Sequence, residues 1–287
     1  MRLRPILLLA TACLTVFASI GAQAGRGCID HQVTRAELQS ALQVASDVKQ
    51  VLQRQSARFA FIARFGSDIS EHGWRFTHAG FARKRDKDGA WVVVHQLTSC
   101  GKSGSGLNVQ GLGTFMLDNP LTHDVLVLTF GKTLATHVEA VSKDRAPRRF
   151  YDPRYNMMSY LGSPAKYQDS NQWVLKLIAL AQAKADGKSF HTRDETHRHC
   201  RQRGFRDSVI RISSLRRSLA KLSATNIRFD DQPPSSHRDG RYEVVSVKSV
   251  VDYLQFTGDA AETITVSGPY RRVDRTPDKP EESPNGD

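Results

Sequence analysis

The sequence has few cysteines, one long apolar segment and no internal repeat. Outside the N-terminal region no segment could span a bilayer, which requires about 20 predominantly apolar residues. Gly101-Lys102-Ser103 is not a nucleotide phosphate-binding loop, because such a loop has a glycine five places earlier, where Gln96 stands. The cysteines are Cys13, Cys28, Cys100 and Cys200.

The long apolar segment has the features of a secretory signal peptide. Arg2 and Arg4 provide a positive start, and residues 6–20 are apolar or small. Ala22-Gln23-Ala24 supplies the small-x-small pattern of a cleavage site. The alternative, a membrane anchor, requires a longer apolar stretch. We therefore expect residues 1–24 to be removed near Ala24, and the mature protein to be periplasmic or secreted.

The remaining composition predicts one globular domain over residues 25–256. Residues 257–287 form a charged, proline-rich segment that we expect to be disordered. The leader holds two arginines and no acid, so the mature chain has 41 − 2 = 39 basic against 29 acidic residues, or +10. This excess suits an anionic envelope component as partner, although scattered basic residues also serve only to solvate a surface. Nucleic acid is not expected as a partner, and the oligomeric state is open.

Hydrophobic periodicity predicts an α+β fold with an antiparallel sheet. Residues 35–55 form an amphipathic helix, and 58–65, 75–83 and 90–97 are aromatic and β-branched strands. A clear helix begins after a cap at Ser170 or Asp169 and ends near Ala185. Further predictions are a strand at 123–130, helices at 134–141, 194–203, 216–224 and 249–254, a strand at 242–247, an irregular segment at 101–113 and a loop at 145–168.

Two sets of side chains could form a disulfide or bind a metal ion. An oxidising compartment favours one disulfide among the three mature cysteines, and we predict Cys28–Cys100, which would tether the start of the mature chain.

The second set is polar and lies near one predicted helix: His191, Asp194, Glu195, His197, His199 and Cys200. His197 and Cys200 have a spacing that zinc can use, but such a cluster is more often a solvated face. No metal or cofactor is predicted.

One pair of segments indicates nucleophilic chemistry. Ser170 stands at the start of the long helix, where free backbone N–H groups can stabilise an oxyanion. His78 lies on the second strand and is a candidate base, and His95 on the neighbouring strand could orient it. The alternative is that Ser170 only caps the helix and His78 is a hydrogen-bonded buried histidine. Additional oxyanion or binding candidates are Tyr167, Gln168, Asn171 and Gln172.

Several short motifs resemble those of an uncharacterised family of exported bacterial proteins. The resemblance extends from Gly25 to about Leu254. Its motifs are the His-Ala-Gly strand at His78, the Val-Val-x-His strand ending at His95, Gly-Leu-Gly-x-Phe-x-x-Asp from Gly111 to Asp118, Ser-Asn-Gln-Trp from Ser170, and Asn-x-x-Phe-Asp-Asp from Asn226 to Asp231.

The order of these segments also resembles the circularly permuted NlpC-type branch of papain-like proteins. That resemblance implies a papain-like fold, with His78 as base, His95 as orienting group and Ser170 in the nucleophile position. The chain departs from the pattern because the family has cysteine where Ser170 stands, and serine needs full general-base help. Two functions follow: a serine-variant hydrolase or acyltransferase on amide or ester bonds, or an inactive module that binds an envelope ligand such as a peptidoglycan peptide or lipid.

Overall fold

A computed structural model describes residues 32–66, 69–98, 104–118, 122–162 and 166–270. The predicted signal peptide, the predicted Cys28–Cys100 disulfide and residues 271–287 lie outside these ranges.

Within the described residues, the main β-sheet has six strands in the order β4-β3-β2-β1-β5-β8, and every neighbouring pair is antiparallel. The remaining two strands form a small separate antiparallel sheet. In chain order the strands are β1 (Phe59–Arg64), β2 (His78–Lys84), β3 (Trp91–Thr98), β4 (Ser105–Gly111), β5 (Val125–Phe130), β6 (Ser208–Arg211), β7 (Arg241–Val244) and β8 (Ala260–Val266).

Helices cover both faces of the main sheet because its central strands are apolar on both sides. Phe61 and Phe81 face one helical layer, built mainly from α3, α5 and α9, whereas Ile62 and Ala82 face the other, built from α1 and α2. The helices are α1 (Arg35–Arg54), α2 (Leu112–Leu117), α3 (Lys132–Lys143), α4 (Ala146–Arg149), α5 (Ser170–Ala185), α6 (Arg193–Gln202), α7 (Ser214–Ser223), α8 (Pro234–Asp239) and α9 (Val247–Phe256). The two main clusters of buried side chains therefore lie on opposite faces of the same sheet.

The α+β class with an antiparallel sheet and packed helices is confirmed. Two local predictions are wrong. The segment 101–113, predicted to be irregular, contains β4 and the start of α2. β4 forms because an edge strand is held by backbone hydrogen bonds to β3 and does not need large side chains. Residues 260–266, assigned from composition to the tail, form β8, which pairs with the open edge of β5.

Local capping explains where two principal helices begin. Thr34 and Glu37 form a reciprocal capping box at the start of α1. Asp169, not Ser170, caps α5: its carboxylate accepts a hydrogen bond from the Gln172 N–H at 2.6 Å. None of the helices in the described ranges is both long and apolar enough to cross a bilayer.

Candidate functional site

His78, His95 and the first turn of α5 lie near one end of the main sheet. β1 and β3 end here, and β2 begins here. His78 is the first residue of β2, and His95 lies three residues before the end of β3. The first turn of α5 approaches the same end, where the Asn171 side chain donates to the backbone carbonyl of Thr77 at 3.4 Å.

The two predicted histidines are in direct contact. His78 Nε2 lies 2.7 Å from His95 Nδ1, and His95 Nε2 lies 3.0 Å from Gln110 Oε1. Because an amide oxygen only accepts, His95 carries its proton on Nε2 in this arrangement, and His78 Nε2–H donates to His95. The structure therefore forms a hydrogen-bonded chain from His78 through His95 to Gln110.

Burial keeps both imidazoles neutral. Burial, with a smaller contribution from the nearby Arg64 guanidinium, lowers the pKa of His95 from 6.5 to about 4. Burial also lowers the pKa of His78 well below its ordinary value, again with a smaller contribution from Arg64. Phe115 of α2 packs against both rings. Neutral histidines can accept a proton, so both rings are in the protonation state that a base needs near pH 7.

Gly80 makes room for this pair. A Cβ atom at this position would lie 2.9 Å from His95 Cβ and 2.8 Å from the Val94 carbonyl oxygen. These distances are shorter than normal contacts, and one of the atoms belongs to the backbone. The glycine of the His-Ala-Gly motif therefore allows β3 and the His95 side chain to approach β2 closely.

Ser170 belongs to a different environment. His78 shares its sheet face with α2, whereas α5 packs on the opposite face through Trp173 and Phe81. The Ser170 hydroxyl lies 3.5 Å from Asn171 Oδ1, and neither histidine is among its described hydrogen-bond partners. The structure thus brings His78 and His95 together but does not join Ser170 to them.

Tyr155 lies beside Ser170. Its hydroxyl faces both the Ser170 side chain and the Ser170 backbone N–H. Burial, followed by the nearby Asp169 carboxyl, raises the pKa of Tyr155 above its ordinary value, so this phenol stays protonated. The N–H group that an oxyanion would use therefore already faces the Tyr155 oxygen.

A pocket of about 430 Å³, including the part open to solvent, adjoins the start of α5. Its polar wall contains Asp169, Ser170 and Asn171, with Tyr155 beside them. The rest of the wall is mostly apolar and comes from three segments of the chain: Ile69, Trp74, Phe76 and Thr77, then Met157, then Val244, Val245, Ser246 and Val247. The pocket combines an apolar surface with converging polar groups.

Asn171 and Asp169 fix the polar wall. The Asn171 amide donates to the Val245 carbonyl at 3.1 Å as well as to the Thr77 carbonyl, so it ties the wall segments to α5.

Burial raises the pKa of Asp169 to about 8, although its helix-cap hydrogen bonds act in the opposite direction. The Asp169 carboxyl is therefore mostly neutral at pH 7, and the wall carries little charge.

The other predicted oxyanion or binding residues make contacts outside the pocket. Gln168 donates to the Phe150 carbonyl at 3.0 Å and accepts from the Asp152 N–H at 2.7 Å. Gln172 donates to the Tyr160 carbonyl at 3.1 Å. The Tyr167 hydroxyl donates to an Asp230 carboxylate oxygen at 2.9 Å. These three side chains hold the segment before α5 in place.

The polar set considered for zinc lies on and before α6. Within the described chain, no group of three or more His, Cys, Asp or Glu residues is arranged to hold a metal ion. Glu195 accepts from the Thr192 N–H as part of a capping box. Cys200 is a buried free thiol, and burial raises its pKa to about 12.

Sequence reasoning missed Arg64 and Tyr155. Arg64 is the last residue of a strand that is otherwise apolar, and it is only 5% exposed. A charged residue at the end of an apolar strand was the available signal. Tyr155 lies in a segment without regular structure, so no periodicity in the sequence identifies it.

Comparison with known proteins gives one match. No curated protein and no solved structure matches the chain. A family model described as "Uncharacterized protein conserved in bacteria (DUF2145)" matches residues 51–254, which include β1 to β7 and most of α9. The match covers more than two thirds of the chain. The chain therefore belongs to this bacterial family.

Proposed function

We propose that this protein is exported and binds a small, mainly apolar ligand in the pocket at the start of α5, without acting on it chemically. The observation that carries the proposal is the pocket itself. A few polar groups converge there on a mostly apolar wall, which is the usual composition of a small-molecule site.

The surroundings of Ser170 favour binding over acyl transfer. A nucleophilic serine needs a base within hydrogen-bond reach, and the neighbouring Tyr155 hydroxyl is a poor base because it is already protonated. In a binding site the same pair of hydroxyls can donate to or accept from the polar end of a ligand. Ser170 then determines ligand orientation.

The pocket wall favours a lipid-derived ligand among the envelope components considered. Peptidoglycan peptides are rich in charged groups, whereas Phe76, Met157 and Val245 present apolar surface. A mostly neutral Asp169 also removes the negative charge that would otherwise repel a carbonyl or hydroxyl oxygen. We therefore infer a ligand with an apolar body and one uncharged polar end.

Titration with N-phenyl-1-naphthylamine, a neutral apolar fluorophore, tests this proposal. We expect a saturable fluorescence increase that a medium-chain alcohol competes away. Met157→Asp places a charge in the pocket wall and should weaken binding at least tenfold, whereas Val209→Asp, on β6 and 44% exposed, should not. Equal binding by the wild type and both variants would refute the pocket as the site.

A serine-variant papain-like hydrolase or acyltransferase is the second candidate. The hydrogen bonds that join His78 to His95 and His95 to Gln110 favour this candidate, because they would orient His78 as a base. This candidate requires Ser170 to approach His78 when substrate binds. Intact-mass analysis after treatment with a serine-directed phosphonate distinguishes the two: an adduct on the wild type that is absent from a folded Ser170→Ala variant supports catalysis, and no adduct supports binding alone.

A further inference from the structure

Arg64 is a buried cation whose hydrogen-bonding capacity is largely unused. Its side chain is 6% exposed, and Nη2 donates to Asp118 Oδ2 at 2.9 Å. Nε and Nη1, which carry three further N–H groups, have no hydrogen-bond partner in the described part of the chain. A buried donor without an acceptor is costly, and the cost is larger for a charged group.

Phe115 packs over one side of the guanidinium, and Gly66, which has no side chain, lies beside Nη1. A Cβ added to Gly66 would lie 3.9 Å from Arg64 Nη1 and 3.4 Å from Thr77 Oγ1. Gly66, Thr77 and His78 are all half-buried, so the residues beside the guanidinium reach solvent. The Gly66 N–H donates to Thr77 Oγ1 at 3.1 Å, which fixes this part of the wall.

The charge on Arg64 is paired with a single, partly exposed carboxylate. Asp118 makes one hydrogen bond to it, and the Asp118 side chain is 26% exposed, so solvent weakens the pairing. Burial lowers the pKa of Arg64, and the smaller, opposing influence of Asp118 does not restore it. The neighbouring His78 and His95 are neutral and supply no counter-charge.

We propose that Arg64, with the His78–His95 pair beside it, forms a binding site for a carboxylate group. A carboxylate offers two acceptor oxygens on one plane, which matches the planar fork of N–H donors on a guanidinium. It would also accept hydrogen bonds from the N–H groups on Nε and Nη1, which have no partner in the described residues. This site lies on the α2 side of the sheet and does not depend on ligand binding in the α5 pocket.

Titration of the mature protein with acetate tests the site, with acetamide as the matched uncharged probe and chloride at constant ionic strength. The readout is the NMR signals of the His78 and His95 rings, assigned from His78→Gln and His95→Gln. We expect acetate to shift both signals saturably and acetamide to leave them unshifted. Equal shifts with acetate and acetamide would overturn the proposal.

Variants of two arginines on neighbouring strands provide the second readout. In Arg64→Gln, acetate should bind at least tenfold more weakly, whereas Arg83→Gln, at the far end of β2, should retain wild-type binding. Unchanged acetate binding in Arg64→Gln would contradict the assignment. If Arg64→Gln does not fold, the acetate and acetamide comparison on the wild type still decides the question.

Discussion

His78 Nε2 and His95 Nδ1 lie 2.7 Å apart, and burial keeps both rings neutral. Two imidazoles can share a hydrogen bond only when one is a donor and the other an acceptor, so protonating both would break the contact. The pair therefore makes stability depend on pH.

Stability should fall as the pH drops below neutral, and His95 should account for part of the fall. Its folded pKa of about 4 lies below the ordinary 6.5, so between these values the unfolded chain binds more protons. This contribution is present above pH 6.5 and is lost as the pH falls toward 4, by about 2 kcal/mol between pH 7 and pH 5. Urea unfolding at both pH values should show a smaller loss in His95→Gln, and an equal loss would contradict the prediction.

Gly80→Ala should destabilise the protein by about 2 kcal/mol or more, because the new Cβ overlaps backbone as well as side-chain atoms. It should also shift the NMR signals of the His95 ring. Gly106→Ala on β4 is the control, since a Cβ there makes only an ordinary contact of 3.8 Å. Similar unfolding free energies for the two variants would show that close approach at Gly80 is unimportant.

Asn171→Ala should lower the free energy of unfolding by about 1–3 kcal/mol, because it leaves the buried Val245 carbonyl without its side-chain donor. It should also weaken N-phenyl-1-naphthylamine binding, since Asn171 ties the pocket wall to α5. Asn108→Ala is the matched control: the Asn108 side chain is half-buried, and its amide donates to the Gly106 carbonyl two residues away. A loss of stability as large in Asn108→Ala would argue against a special role for Asn171.

Export and the disulfide can be tested together by thiol counting on protein secreted through its own leader. Cleavage near Ala24 removes Cys13 and leaves three cysteines. We expect no reactive thiol in the native protein because Cys200 is buried, one after denaturation without reductant, and three after reduction. A mature N-terminus far from Gly25, or a bridge that contains Cys200, would refute the corresponding prediction.

The sequence predicts elements whose signal is local. The helix capped by Thr34 and the apolar strands around Phe61 and Val93 are predicted because periodicity and capping act within a few residues. β8 was missed because Ala260–Val266 is polar and owes its strand conformation to pairing with β5. Edge pairing of this kind depends on the partner strand rather than on composition.

The candidate site was predictable only in part for the same reason. Hairpin geometry relates β2 to β3, so the sequence could pair His78 with His95. The positions of Ser170 and Tyr155 depend on which face of the sheet α5 covers, and no spacing in the chain encodes that choice. The position of a helix depends on packing throughout the core, whereas the pairing of two neighbouring strands depends only on the turn between them.

The central claim is that the pocket at the start of α5 binds a ligand, and methyl NMR of methionine tests it most directly. Outside the predicted leader the chain has three methionines. Met157 lines the pocket, Met116 belongs to α2 and is buried on the opposite face of the sheet, and Met158 packs in the small core beside β7. With saturating N-phenyl-1-naphthylamine, we expect the Met157 methyl signal to shift most and the Met116 signal to stay fixed. A shift of Met116 with Met157 unchanged would contradict the account.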